Sequence, residues 1–192
     1  MGSTTSFTVR LVIEPLATEH AEGLLVALDH PSVGQYIGGP DVTTLDALRD
    51  RIDFVNSGPE GHGREGHGPG GRDPEGHGPE QWFNAVVMLR EDRTIIGRVE
   101  ATTYDDWAEI AYVFSPLVSG MGYATEAVEW MIADLRRHGF EELWAAVHPD
   151  NAASLRLLAR VGFSVTDHLA RSVGSYDEGD VVLRRIDDEG AR

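Results

Sequence analysis

The fold is indicated most directly by Ser119-Gly120-Met121-Gly122-Tyr123-Ala124-Thr125-Glu126-Ala127, which follows the apolar run Ile110-Ala111-Tyr112-Val113-Phe114. The run predicts an extended segment, and the residues after the two glycines predict an amphipathic helix. A strand, a glycine turn and a helix in this order direct free backbone N–H groups and the positive end of a helix dipole into one small volume. That volume suits a phosphate or pyrophosphate. The glycines permit a close approach because they carry no Cβ.

Bulk composition limits the classes of function. The 192 residues are 41% hydrophobic and 25% charged, which predicts a single globular domain over residues 1–192. The net charge of −16 disfavours nucleic acid as a partner. It suits a cationic acceptor such as an amine, or it only keeps the protein soluble. The absence of cysteine excludes disulfides and intermediates carried on a protein sulfur.

Neither a leader-like segment nor a long apolar stretch is evident in the sequence. No segment reaches the roughly 18 apolar residues of a membrane span. We therefore expect a soluble, unprocessed, cytoplasmic protein that does not bind membranes. Whether it is a monomer or a homodimer stays open.

The segment Gly58 to Glu80 differs in kind from the rest of the chain. Glu-Gly-His-Gly occurs in it repeatedly, and it contains no large apolar residue. It cannot bury a core, so we predict a flexible insertion that is either functionally silent or a mobile flap. His62, His67 and His77 lie on glycine-rich backbone that imposes no geometry, so we expect no specific metal site, only adventitious binding.

The remaining pattern predicts an α+β fold with a mixed sheet. Alternating and β-branched segments predict strands, and helical spacing of apolar residues predicts helices, the first capped by Thr18. The predicted strands are Phe7–Ile13, Phe83–Leu89, Thr94–Thr103, Glu109–Phe114, Glu142–Val147, Phe163–Leu169 and Val181–Ile186; the predicted helices are Thr18–Leu28, Thr44–Val55, Tyr123–His138 and Asn151–Val161.

Two motifs carry a resemblance to a known family. Gly122 and Ala124, with the helix after them, are similar to the Gln/Arg-x-x-Gly-x-Gly/Ala signature of the GNAT superfamily of N-acetyltransferases. Asn151-Ala152-Ala153-Ser154, followed by Gly162-Phe163, resembles the Asn-x-x-Ser…Gly-Phe element of its ribosomal-protein N-acetyltransferase-like branch. The resemblance runs from about Val9 to Ile186, apart from the insertion. It implies a mixed, mostly antiparallel sheet of about seven strands flanked by helices.

The resemblance also implies a cofactor, acetyl-coenzyme A. Its pyrophosphate would lie on the glycine loop, and its pantetheine arm in a gap between two parted strands, here Tyr112–Phe114 and Leu143–Val147. A backbone N–H near Val113 or Phe114 would polarise the thioester carbonyl. The implied cofactor-binding residues are Tyr112, Val113, Phe114, Ser119, Gly120, Met121, Gly122, Tyr123, Ala124, Thr125, Asn151 and Ser154.

Two positions depart from the family pattern. Ser119 stands where the signature has Gln or Arg, which removes one side-chain contact to the phosphates. Leu158 stands where many relatives place a tyrosine that protonates the leaving thiolate. The resemblance implies that Ser154 donates a hydrogen bond to the sulfur instead. Alternatively, Asn151 and Ser154 only cap their helix.

Direct acetyl transfer needs a base that takes a proton from the amine. Glu109 and Glu100 lie on neighbouring predicted strands, and either carboxylate can face an acceptor cleft, with Glu109 slightly preferred. The alternative for each is a solvated strand residue. His148 has a suitable imidazole but reads better as a loop residue near the cofactor. Tyr176 and Asp180 have weaker support as acceptor contacts.

The sequence therefore leaves two hypotheses from different functional classes. The first is an acetyl-coenzyme A-dependent N-acetyltransferase acting on a small amine, such as an antibiotic or polyamine, or on a protein N-terminus. The second is a non-catalytic acyl-coenzyme A-binding or sensing module on the same fold, which the departures at Ser119 and Leu158 keep open.

Overall fold

The computed structural model describes residues 4–36, 44–58, 81–104, 106–166 and 176–186. The described residues form one mixed sheet in the order β1-β2-β3-β4-β5-β6-β8-β7, in which only the β5–β6 pair is parallel. The predicted α+β class and mostly antiparallel sheet are confirmed, with eight strands rather than about seven. The strands are β1 Ser6–Phe7, β2 Leu11–Pro15, β3 Gln81–Leu89, β4 Ile95–Thr103, β5 Trp107–Phe114, β6 Glu142–Val147, β7 Ser164–Val165 and β8 Val181–Ile186.

Helices cover both faces of this sheet. The helices are α1 Ala21–Leu28, α2 Leu45–Asn56, α3 Tyr123–Arg137 and α4 Ala152–Arg160. Along β2, Val12 packs in a core cluster with α1 and α2, whereas Leu11 and Ile13 pack in the cluster that contains α3 and α4. This alternation follows from the two-residue period of a strand. All three residues are buried because helices lie on both sides.

An aromatic cluster locks one end of the β5–β6 pair. Trp107 stacks on Tyr104 with ring centroids 3.9 Å apart, and it meets Trp144 edge-on at 6.4 Å. Both tryptophans are about 1% exposed, which fits the core role expected of them. The indole of Trp144 also donates to Glu142, which accepts from Arg184 of β8 as well. The strands are therefore held together firmly at this end.

The first predicted strand is wrong in detail. Phe7–Ile13 is not one strand, because a tight turn divides it into β1 and β2. The N–H of Thr8 donates to the carbonyl of Leu11, and the hydroxyl of Thr8 accepts from the N–H of Leu11, both at 3.0 Å. The alternation of apolar residues continues through such a turn, so the pattern did not reveal it.

Helix ends differ from prediction in one place. Thr18 does not cap the first helix; it begins a 3-10 turn, and the Nδ1 atom of His20 accepts from the N–H of Ala17 at 3.0 Å. Asn151 does cap α4, since its side-chain oxygen accepts from the N–H of Ser154 at 3.1 Å. Of the predicted strand Phe163–Leu169, only β7 is seen, and residues 167–169 lie outside the described residues.

A β-bulge in β4 brings it unusually close to β5. Gly97 is opposite Val87 and Ile95 is opposite Met88, so Ile96 is the extra residue. A Cβ on Gly97 would stand 2.4 Å from the carbonyl oxygen of Val113. Only glycine permits this approach, which sets the position of the last residues of β5.

Candidate functional site

The sheet parts between β5 and β6. The two strands pair only from Trp107–Glu142 to Glu109–Trp144. Residues 110–114 of β5 and 145–147 of β6 continue without pairing to each other, so the predicted parting is present, although Leu143 and Trp144 still belong to the paired end. The backbone groups that face the gap have no partner from the opposite strand. A ligand carrying amide groups can satisfy them.

The glycine loop lies at the open end of the gap, directly after β5. Gly120 and Gly122 have φ values of 78° and 81°, in the left-handed region where a side chain is strained. Gly122 is the N-cap of α3, so the free N–H groups of the first helical turn begin at Tyr123. The predicted loop residues Ser119, Gly120, Met121, Gly122, Tyr123, Ala124 and Thr125 all lie in this loop or turn.

A side chain of β5 reaches across to α4. The phenol of Tyr112 donates to the main-chain oxygen of Ser154 in a long contact of 3.5 Å. Burial raises the pKa of Tyr112 to about 12, a shift that the contact with Ser154 only partly offsets. The phenol is therefore protonated at neutral pH. Tyr112 and Ser154 are brought together, and the side chain of Asn151 is used as the helix cap.

A cleft opens on the opposite face of the sheet, between the strands and α2. It encloses about 420 Å³ of empty space, part of it open to solvent. Glu100 and Glu109 both line it, because Glu100 is opposite Ala111 and Glu109 is opposite Thr102, which places them on one face. The other lining residues are Arg51, Val55, Trp82, Asn84, Ala101, Thr102 and Ala111.

The two carboxylates of this cleft differ in their surroundings. Glu100 is paired with Arg98, with 3.0 Å between Oε1 and Nη1. The guanidinium of Arg98 is itself buried, at 5% exposure of the residue. Glu109 is also 5% exposed, and it occupies the last position at which β5 pairs with β6. Glu109 therefore lies where the gap begins.

One comparison identifies the family. The model of the acetyltransferase (GNAT) domain matches residues 10–164, which is most of the chain. This protein belongs to the GNAT acetyltransferases. A search of the curated proteins found no significant match.

Solved structures show the same fold at low identity. A GNAT-family acetyltransferase from Bacillus anthracis is 18% identical, with a TM-score of 0.68, covering 95% of this chain and 98% of its own. An acetyltransferase from Agrobacterium tumefaciens C58 is 20% identical, with a TM-score of 0.69 and coverages of 97% and 96%. A ribosomal-protein-S5-alanine acetyltransferase from Vibrio fischeri is 14% identical, with a TM-score of 0.65 and coverages of 98% and 100%.

The two departures from the family pattern have different surroundings in this GNAT domain. Leu158 is completely buried in the core, so α4 offers no hydroxyl at that position. Ser119 is an exposed residue whose N–H donates to the carbonyl of Pro116 at 3.1 Å, at the end of a short 3-10 turn. Its hydroxymethyl group cannot extend as far over the loop as Gln or Arg would.

Sequence reasoning missed several residues of the cleft in this acetyltransferase. None of Trp82, Arg51, Asn84 and Thr102 was a predicted site residue. The Nε atom of Arg51 is buried and has no hydrogen-bond partner among the described residues. Alternation along β3 and β4 could have placed Trp82, Asn84 and Thr102 on the face of Glu100, but it could not align the strands.

His148, Tyr176 and Asp180, the remaining predicted candidates, lie in turns at the ends of strands. The ring of His148 lies 5.4 Å from that of Tyr36, in the turn after α1, and its Nδ1 accepts from the N–H of Asp150. Asp180 accepts from the N–H of Asp177 in the turn before β8, and Tyr176 is 37% exposed beside it. No contact among the described residues brings Tyr176 or Asp180 to the cleft, so their acceptor role stays a prediction.

The described residues contain neither a metal-binding cluster nor a membrane-spanning helix. Within them, no cluster of histidines and carboxylates is arranged to hold a metal ion. His62, His67 and His77 lie outside them, as does nearly all of the predicted insertion. None of the helices in the described ranges is long and apolar enough to cross a membrane.

Proposed function

We propose that this protein transfers an acetyl group from acetyl-coenzyme A directly to a primary amine within a ternary complex. One observation carries the proposal. The pairing of β5 with β6 ends at Glu109. The gap between these two strands therefore extends from the glycine loop to a buried carboxylate that lines the cleft. Glu109 and Phe114 are five residue steps apart along β5, which corresponds to roughly 17 Å, comparable to an extended pantetheine arm.

The residues of the gap suit the cofactor chemically. The N–H groups of Ser119 and Met121 are bonded to the carbonyls of Pro116 and Val118, so the main-chain N–H groups that the loop can offer to a pyrophosphate are those of Gly120 and residues 122–125. Glycine at 120 and 122 keeps that surface free of side chains. The open backbone edge of Tyr112, Val113 and Phe114 can pair with the pantetheine amides. Ser154 and Asn151 lie beside this edge on α4, where Ser154 is the residue that Tyr112 contacts. Acetyl-coenzyme A would supply the acetyl group as an activated thioester.

Glu109 is proposed as the base and Glu100 as the group that orients the acceptor. The Oε1 atom of Glu100 is already engaged in the ion pair with Arg98, so this carboxylate is less available to an incoming amine. Glu109 takes a proton from the ammonium form of the amine, directly or through a water. The amine nitrogen then bonds to the carbonyl carbon as the carbon–sulfur bond breaks, and the second proton of the nitrogen passes to the departing thiolate.

Tyr112 and an N–H of Val113 or Phe114 stabilise the charges that develop. The phenol of Tyr112 holds its proton in the gap and can donate a hydrogen bond to the departing sulfur, where Leu158 offers no hydroxyl. Ser154 can serve the same sulfur. No cysteine exists to carry an acyl group, so transfer is direct.

A cationic amine is the proposed acceptor class. Glu109 and the aromatic ring of Trp82 line the cleft and favour a cation. Glu100 lines it too, but it is paired with Arg98, and Arg51 adds one positive charge to the lining. The whole-protein charge of −16 acts in the same direction at longer range. A small polyamine, an amine-bearing antibiotic and a peptide N-terminus all satisfy this chemistry, and the ribosomal-protein acetyltransferase among the structural neighbours supports testing the last.

The alternative is an acyl-coenzyme A-binding or sensing module. The burial of Leu158, which removes the usual acid from α4, favours it. The two functions separate in one experiment, in which the purified protein is mixed with acetyl-coenzyme A and a panel of amines and free thiol is followed. Turnover with intersecting double-reciprocal plots supports direct transfer. Binding without turnover on any amine would favour the sensor, and failure to bind coenzyme A would overturn both.

A further inference from the structure

Residues from the β1–β2 turn surround one carboxylate at the start of α3. The Nε of Arg10 lies 2.6 Å from Oε2 of Glu126, and the main-chain N–H of Arg10 donates to Oε1 at 2.8 Å. The hydroxyl of Thr8 donates to the same Oε1 at 2.6 Å. Charge-assisted hydrogen bonds of this length are strong. They join two segments that are 116 residues apart in sequence.

The same guanidinium covers the glycine loop. Its Nη1 donates to the carbonyl oxygen of Met121 at 2.8 Å, and its Cζ lies 4.5 Å from the ring centroid of Tyr123. Its Nη2 is 3.4 Å from the point that a Cβ on Gly122 would occupy. Arg10 thus contacts the loop residue before the N-cap and the first residue of α3, and it lies beside the N-cap Gly122.

Glu126 would oppose an anion at this place if it were not compensated. It belongs to the first turn of α3, the turn whose N–H groups would bind the pyrophosphate. Burial alone raises the pKa of Glu126, but the hydrogen bonds from Thr8 and Arg10 outweigh it and hold the pKa below the usual range. The carboxylate is therefore charged at neutral pH, and its repulsion of a phosphate is cancelled by the adjacent guanidinium.

We propose that Arg10 is a positioning residue for the pyrophosphate of the cofactor. Arg10 acts through Glu126 and the Met121–Tyr123 backbone, by fixing the loop and by neutralising the carboxylate. The inference rests on the proposed function, because it requires coenzyme A at this loop. It goes beyond that function by giving a residue of the N-terminal hairpin a role in cofactor affinity.

Binding measurements on the full chain test the inference without turnover. Calorimetry gives the Kd of coenzyme A, and ligand-observed NMR at millimolar concentration gives that of pantetheine, which lacks the phosphates. We expect Arg10→Gln to raise the Kd of coenzyme A about tenfold, from uncompensated repulsion of roughly 1.4 kcal/mol, and to leave pantetheine nearly unchanged. Arg10→Lys should recover part of the lost affinity for coenzyme A, since lysine keeps the positive charge but lacks the planar guanidinium that donates to two acceptors at once.

The double variant Arg10→Gln/Glu126→Gln gives the sharpest test. Removing the carboxylate as well should restore most of the affinity for coenzyme A, whereas a purely structural pair would not be rescued. Arg90→Gln is the matched control, because Arg90 contacts the carbonyl of Thr8 and the ring of Phe7 but not the loop. It should change neither Kd.

Two kinds of result would overturn the inference. The first is that Arg10→Gln weakens the binding of coenzyme A and of pantetheine equally and that Glu126→Gln does not restore it. The second is an unchanged Kd of coenzyme A. Either result would mean that Arg10 only stabilises the fold. Thermal unfolding of each variant checks that it is folded at the temperature of the titration. If the unaltered protein binds no coenzyme A, the proposed function itself fails and this inference fails with it.

Discussion

The phenol of Tyr112 meets the main-chain oxygen of Ser154 across the space between β5 and α4. This contact of 3.5 Å is long for a hydrogen bond, so it is easily exchanged for a better acceptor. It places a protonated hydroxyl beside the gap, at the level of the unpaired part of β5. Tyr112 can therefore donate a hydrogen bond to the departing sulfur without help from the side chains of α4.

Tyr112→Phe should lower kcat for acetyl-coenzyme A about tenfold or more, because the leaving sulfur loses a hydrogen bond. The loss should be much smaller with an acetyl thioester of an acidic aromatic thiol, since that thiolate needs little stabilisation. Steady-state rates on both donors give the measurement.

The matched change is Phe114→Leu, which alters a ring 6.3 Å from that of Tyr112 but removes no hydroxyl. It should affect both donors alike. If Tyr112→Phe also slows both donors equally, the phenol has only a packing role.

Glu109→Gln should lower kcat by roughly 10²–10⁴-fold, because the base is replaced by an amide of the same shape. The acid limb of the pH profile of kcat/KM should disappear, while the Kd of coenzyme A stays the same. Glu100→Gln should instead raise KM for a cationic amine with a smaller change in kcat.

Glu91→Gln serves as the control for both substitutions, since Glu91 is an exposed residue of the β3–β4 turn. Equal behaviour of Glu109→Gln and Glu91→Gln would remove Glu109 from the mechanism. A larger loss of kcat at Glu100 than at Glu109 would exchange their roles.

Gly97→Ala should weaken coenzyme A binding, because the new Cβ would meet the carbonyl of Val113 at 2.4 Å and the ring of Phe114 at 2.6 Å. The contact forces β5 away from β4 in the segment proposed to pair with pantetheine. Calorimetry measures the affinity. Gly23→Ala is the control, since its Cβ meets only the flexible side chain of Ile95; an unchanged Kd in Gly97→Ala would contradict the proposed position of the arm.

Gly122→Ala should cost about 1–2 kcal/mol of stability, because its φ of 81° strains any other residue, and it should also weaken coenzyme A binding. Gly139→Ala separates the two effects. Gly139 follows the other end of α3 with a φ of 93° and open space around its Cβ position. It should lower the free energy of unfolding similarly and leave the Kd unchanged.

Acid should remove the stabilisation that Glu126 provides. The pKa of Glu126 in the folded protein is held below the pKa of glutamate in the unfolded chain, which is about 4.3. The stabilisation is therefore complete above the unfolded pKa and is lost as the pH falls through the lower, folded pKa. The difference in Tm between the unaltered protein and Glu126→Gln should therefore narrow from pH 6 to pH 3. Glu129→Gln, at an exposed position of the same helix, is the control and should show a small, constant difference in Tm. A Tm difference for Glu126→Gln that widens in acid would refute the assignment.

Local patterns predicted much of the fold. The meander of β3, β4 and β5, the helix after the glycine loop and the Asn151 cap were all predicted, because each depends on residues close together in the chain. The division of Phe7–Ile13 into two strands was missed, since a turn held by the Thr8 hydroxyl leaves the apolar alternation unchanged. The cleft residues Trp82 and Arg51 were missed because they come from distant segments.

The sequence by itself determined the class of the sheet, the glycine loop and the family, since periodicity, backbone freedom at glycine and helix capping are short-range properties. Tertiary structure alone decided where the sheet parts, because the end of pairing at Glu109 depends on the register between strands separated by a whole helix. It also decided that Arg10 of the first hairpin neutralises Glu126 at the loop. Contacts of this kind depend on packing between remote segments, which no local pattern encodes.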